Sequence, residues 1–276
     1  MMSESTEKLQ YIYRLQQSKL VNISHLTENL DNIRENLEAF SSEHKMLTGQ
    51  LQDCTNKSRA VIRRLEKKSH KEENNGNDDN GGLSTGRRKS ILQSLQTFNE
   101  ISSSAAEEIY GFSVSHKQMA ELLDLSVITV KHFLWRERIF MAIILGGHDN
   151  EMLKQVSVRT CALGRWYDGR GKKAYSHLPA YRLLGGVHSR YHEMVNDIVD
   201  KGVEKMTFRD LSAELAKLEM LSQQLVGLIG QIQQHIRLLQ KISSPLLWLL
   251  TQCRNAGYWQ RCLSFIENEG QLPDNH

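Results

Sequence analysis

The chain has 276 residues, 39% apolar and 24% charged, with a formal net charge of +3. That length holds one or two domains, and the interleaved, nearly balanced charge gives little support for nucleic acid as a partner. No apolar run approaches the length of a membrane span: FMAIIL (140–145) and PLLWLL (245–250) are too short and read as buried or interfacial helix faces.

The start, MMSESTEKLQ, is polar and lacks the apolar segment of a secretory signal. The cysteines, at 54, 161, 253 and 262, are too few and too widely spaced for a secreted disulfide scaffold. A cytoplasmic protein is expected, in which a thiolate stays free to bind metal. The only prolines are Pro179, Pro245 and Pro273, so long helices can run unbroken. Few stretches alternate as strands do, and an all-α fold follows.

Residues 1–68 read as a long helix, an N-terminal coiled coil. Ile23, Leu26, Leu30, Ile33, Leu37, Phe40, His44, Leu47, Leu51, Cys54, Ser58, Val61 and Leu65 step by three and four. This heptad seam calls for a partner helix, expected from a second subunit, with His44 and Ser58 as its weak points. A single amphipathic helix packed on its own domain is the plainer alternative. Residues 69–89 are rich in asparagine and glycine and read as a flexible linker. Residues 90–204 form a helical region with its core at 125–200. It is expected to contain helices over 90–108 and 115–145, another near 150–160, a DGRGKK loop at 168–173, a short helix over 174–184 stopped by Gly185-Gly186, and a helix from Val187 past Val199. Residues 205–276 carry a C-terminal amphipathic helix and a tail. Leu211, Leu215, Leu218, Leu225, Ile229, Ile232, Ile236 and Leu239 form its stripe, with one polar gap at Ser222 and an interruption at Pro245. The tail, with Trp248, Trp259 and Phe265, carries no functional signal.

The chemistry concentrates between residues 132 and 192. His188 and His192 are four apart on a predicted helix, so both imidazoles share a face one turn apart. By itself that spacing is ordinarily two surface histidines. Cys161, in CALGRWY, adds a sulfur ligand that suits zinc beside two imidazoles, although a buried structural thiol is its plain reading. His132, in KHFLWRERIF, can supply a fourth ligand if its helix packs on the His188–His192 helix. Otherwise it is a core or surface histidine.

These elements together resemble the bacterial chemoreceptor zinc-binding domain. The resemblance covers about residues 125–200 and rests on His132, on CALGRWY (161–167), on HLPAYR (177–182) and on HSRYH (188–192). It implies a zinc-binding four-helix bundle, flanked here by the long coiled-coil-like helices, and a homodimer. It also implies Zn2+ held by His132, Cys161, His188 and His192. His177 belongs to the pattern but is not implied as a ligand. Trp135 and Trp166 are expected to pack around the site. Val187 replaces the proline that usually precedes the last histidine pair. Neither a methyl-accepting hairpin nor a Gly-Gly-Asp/Glu-Glu-Phe cyclase motif is found.

With four protein ligands, no position is left for a reacting water, so a non-enzymatic sensory or regulatory protein is expected. The resemblance implies zinc or an oxidant such as hypochlorous acid as the input, with signalling through the chain's own helices or a protein partner. A zinc-stapled structural or oligomerisation scaffold is the main alternative. A helix-turn-helix DNA reader in HKQMAELLDLSVITVKHFLWRERI (116–139) is a lesser one, since its presumed turn has no glycine. No membrane insertion is expected.

Overall fold

In the computed structural model of this chain, residues 4–73, 85–145 and 156–255 are described, with side chains described over 11–67, 86–143 and 156–239. Helix α1 spans Glu4–Glu73 and α2 spans Thr85–Leu145. Helix α3 (Ala162–Trp166) follows, then a π-helical turn (Tyr167–Gly171), α4 (Lys172–Tyr175), α5 (Pro179–Lys201), a 3-10 turn (Val203–Lys205) and α6 (Phe208–Asn255). The architecture is all-α, with no strand among the described residues. None of the described helices is long and apolar enough to cross a membrane.

Several boundaries differ from the sequence reading. Helix α1 continues to Glu73 and α2 begins at Thr85, both inside the segment expected to be flexible. The remainder of that segment, 74–84, lies outside the described residues. Helix α2 also runs unbroken where two helices were expected. Gly111 costs about 1 kcal/mol against alanine in a helix, but Ser113 beside it is buried and anchored. Ser113 Oγ donates to the Ser41 carbonyl, and Ser41 Oγ to the Ser113 carbonyl, both at 2.8 Å. Residues 116–139 contain no turn, so they do not form the helix-turn-helix weighed above.

The helix expected over 150–160 falls partly outside the described residues; 156–157 have no regular structure and 158–160 form a turn rather than helix. DGRGKK runs through a π-helical turn kinked at Gly169 and into α4, rather than forming an open loop. The glycine pair Gly185-Gly186 lies within α5 and does not stop it. A Cβ at Gly185 would run into the Tyr167 hydroxyl, so glycine there admits a ring rather than ending a helix. Helix α6 continues past Pro245 to Asn255. The side chain of Trp248 and all of residues 256–276 lie outside the description.

The chain divides into two compact units, residues 1–36 with 118–239, and residues 37–117 with 240–276. The first holds the main core. It is built from Leu125, Ile139 and Ile143 of α2, Leu184, Tyr191 and Ile198 of α5, and Leu218, Leu225, Ile229 and Ile232 of α6, each essentially inaccessible to water. Buried positions on α5 recur every three or four residues from Ala180 to Val199, as an amphipathic helix requires. Leu178 is extended and Pro179 opens the helix, where a missing N–H costs nothing. Gly202 ends it at φ 78°, in the left-handed region open to glycine. Thr207 caps α6: its Oγ1 accepts from the Asp210 amide at 3.2 Å and donates to the Asp210 carboxylate at 2.7 Å.

Candidate metal centre

His188 and His192 lie on the buried stripe of α5, so the predicted shared face points into the core. Their rings meet edge to face with centroids 4.8 Å apart. Cys161 arrives from a different element. Ser157 and Thr160 close a turn in which the Thr160 and Cys161 amides donate to the Ser157 carbonyl at 3.1 Å. Cys161 then becomes the N-cap of α3, its sulfur accepting from the Gly164 amide at 3.2 Å. Gly164 is required there, because a Cβ would overlap the Val158 carbonyl.

This turn places Cys161 Sγ 3.2 Å from His188 Nε2. One ligand atom from each of Cys161, His188 and His192 lies within 4.8 Å of the others. In a zinc tetrahedron with metal–ligand lengths of about 2.0–2.3 Å, ligand atoms stand roughly 3.3–3.6 Å apart. The three residues therefore fit a zinc ion in chemistry, and the Cys161–His188 pair stands at about the separation it needs.

His132 lines the same cavity, of about 340 Å³, but is not part of the three-residue cluster. Its Nε2 is 2.9 Å from Ser222 Oγ on α6, a hydroxyl with no solvent exposure. Arg136 Nη1 also reaches Ser222 at 3.5 Å and forms an ion pair with Glu219 at 3.0 Å. His177, outside the ligand set, sits edge-on to His235 with centroids 6.0 Å apart.

The aromatic surroundings fix the imidazoles. Trp135 stacks on His192 at 4.5 Å, and Tyr191 meets His132 edge-on at 4.9 Å. Trp166 instead stacks near Tyr175 and packs in the core.

Burial sets the protonation state. It lowers His132 to about 4, helped by the Arg136 charge and by His192. It lowers His188 to about 3, helped by His192 and His132. It lowers His192 to about 4 against an opposing hydrogen bond with the Val156 backbone. All three imidazoles are thus neutral near pH 7, the form that offers a lone pair to a metal. Burial pushes the Cys161 thiol up, opposed by the Gly164 and Leu163 amides and the Arg165 charge. A bound cation would reverse that balance and favour the thiolate.

The match to a known family covers this same stretch. Residues 132–199 match the chemoreceptor zinc-binding domain. The matched segment begins at His132 and contains His132, Cys161, His188 and His192. Comparison of the chain with curated proteins and with solved structures returned no match.

Three features of the candidate metal centre and its surroundings escaped the sequence reading. Ser222 was visible only as a polar gap in an apolar stripe. A lone hydroxyl at such a position signals a polar partner on a facing helix, here His132. Tyr191, inside HSRYH, packs between His132 and Trp135. The Arg136–Glu219 pair that brackets Ser222 has no sequence signal, because its members lie far apart in the chain.

Proposed function

We propose that this chain is a non-enzymatic, cytoplasmic zinc-binding sensory protein that holds Zn2+ through His132, Cys161, His188 and His192 and acts as a homodimer. The observation that carries the reading is the convergence of Cys161, His188 and His192 from two elements, within a segment matching a zinc-binding family. When bound, the ion would cross-link α3 and α5 and, through His132, α2. Such bonds add to folding free energy and order the segments that supply them.

His132 is the residue through which occupancy reaches the rest of the unit. While its Nε2 is engaged by Ser222, that nitrogen cannot also bind an ion. Loading would free Ser222, and loss of metal would restore the bond to α6. A second route runs through the π-helical turn. Arg170 pairs with Asp124 at 3.2 Å, and Tyr175 donates to Glu121 at 2.7 Å, both acids being on α2. Lys131 of α2 in turn pairs with Asp31 of α1 at 2.5 Å. Movement of the segment that follows Cys161, from α3 through α4, is therefore felt by both long helices, which pass it to a signalling partner.

Cys161 provides an oxidant input. Hypochlorous acid takes the thiolate to the sulfenic acid: the sulfur gains oxygen and loses two electrons, while chlorine leaves as chloride. A sulfenic acid is a poorer ligand than a thiolate, so oxidation loosens the site. Lys131, Arg138 and Arg165 outnumber the single acid, Glu28, on the cavity walls, which favours small anionic oxidants.

Zinc content and oxidant response of a Cys161→Ser variant test this reading. Loss of both supports it, and retention of both contradicts it. The scaffold alternative predicts that removing zinc lowers thermal stability but leaves helix content and assembly unchanged.

A further inference from the structure

In the unit containing residues 37–117, α1 and α2 run antiparallel along a seam that is largely small and polar. Ser41 meets Ser113, and Thr48 Oγ1 reaches the Ala106 carbonyl at 3.5 Å. Asn99, with its amide oriented to its neighbours, donates to the Thr55 carbonyl at 2.9 Å. Positions 41, 48, 55 and 62 on α1, half-buried at Ser41 and buried at the other three, thus face 113, 106 and 99 on α2, one heptad apart on each helix. Ionic and amide side chains flank one side of the seam, where Gln96 donates to Glu66 at 3.1 Å and Lys45, Gln52 and Arg59 continue the row.

The other side is apolar and open. Phe40, Leu47, Cys54 and Val61 recur every seven residues on α1, and Ile91, Phe98, Ala105 and Phe112 do so on α2. Phe40 and Val61 are 49% exposed, and Phe98 and Phe112 57%. Helices that already pair thus leave a second, exposed apolar face among the described residues.

We propose that this apolar side docks against the same side of a second copy of the chain, in antiparallel orientation. This deepens the homodimer reading above by naming its surface, and it is independent of the zinc ligands. The area argues for such a partner. Phe40 to Val61 is about 32 Å of helix at 1.5 Å per residue, and two helices side by side are roughly 20 Å wide. The face then buries about 600 Å² per copy and about 1,200 Å² in all, the lower edge of stable specific interfaces.

The rim charges fix the orientation. The exposed Glu43 and Glu108 lie at the Phe40–Phe112 end, whereas the exposed Lys57, Arg64 and Arg87 lie toward the Val61–Ile91 end. A two-fold axis through the middle of the face brings the acidic end of each copy against the basic end of the other. Parallel pairing would set like charges together.

Sedimentation of the full chain tests this. Wild type is expected to dimerise at micromolar concentration, and Phe98→Lys to weaken self-association by at least about tenfold, with helix content and zinc per chain unchanged. Glu43→Lys with Glu108→Lys, and separately Lys57→Glu with Arg64→Glu and Arg87→Glu, should each abolish self-association. Mixing the two variants should restore it. A wild-type chain that stays monomeric would overturn the proposal and leave the zinc reading standing. A dimer indifferent to Phe98→Lys, or charge variants that do not pair on mixing, would also overturn it. Loss of zinc with dimerisation intact would count against the metal reading alone.

Discussion

Ser222→Ala separates a latch from an orienting contact. His132 Nε2 and Ser222 Oγ are 2.9 Å apart, and both residues are buried. A neutral buried hydrogen bond contributes about 0.5–1.5 kcal/mol, and orphaning its partner costs about 1–3 kcal/mol. Arg136 loses little, since its contact with Ser222 is long and its pairing with Glu219 and Glu137 remains. The metal-free variant should therefore be destabilised by about 1–2 kcal/mol. If His132 exchanges Ser222 for zinc, the loaded form does not use this bond and is nearly unaffected. Zinc affinity should then rise by about 5- to 30-fold. The assay is competition against a chromophoric chelator, with thermal unfolding run with and without zinc. A fall in affinity would refute the exchange, because it would make Ser222 the outer partner that orients a ligating His132.

Other outcomes follow from the same geometry. Gly171→Ala would set a Cβ 2.8 Å from the Trp166 ring, and such overpacking should cost about 1–3 kcal/mol, read as a lower denaturant midpoint; an unchanged midpoint would mean that the ring moves freely. Burial, together with the hydrogen bond to Glu121, raises the Tyr175 hydroxyl well above its ordinary value of 10. An acid raised in the folded state contributes its full stability below pH 10 and loses it as pH rises further. Tyr175→Phe should therefore flatten the alkaline fall in stability, and an identical alkaline profile would contradict the buried contact. Ile198→Ala empties a fully inaccessible core position on the helix carrying both histidines and should cost about 2–5 kcal/mol, checked by urea unfolding of the metal-free protein.

The sequence was most readable where a residue's spacing and its packing agree. His188 and His192 sit four apart on α5, and the same period that pairs them also buries them. Cys161 was legible as a donor but not as an N-cap, since the turn that aims it depends on Ser157, Thr160 and the close approach at Gly164. Gly185-Gly186 misled because glycine signals both a helix end and a close contact, and Tyr167 over Gly185 decides for the contact. The α1 seam was half right. His44, Leu51 and Ser58 are half-buried in the register that faces α2, whereas Leu65 is exposed, and their companions Ser41, Thr48 and Thr55 are polar and invisible to a hydrophobic count. Phe40, Leu47, Cys54 and Val61, the most apolar-looking column with its α2 counterpart, remain at the surface.

The most direct test of the central claim is metal content per chain by elemental analysis, for wild type and Cys161→Ala purified without chelator. Near one zinc per wild-type chain, falling sharply in the variant, is the predicted result. No zinc in the wild type, or equal zinc in both proteins, would contradict the assignment of Cys161 with His132, His188 and His192 as the metal centre.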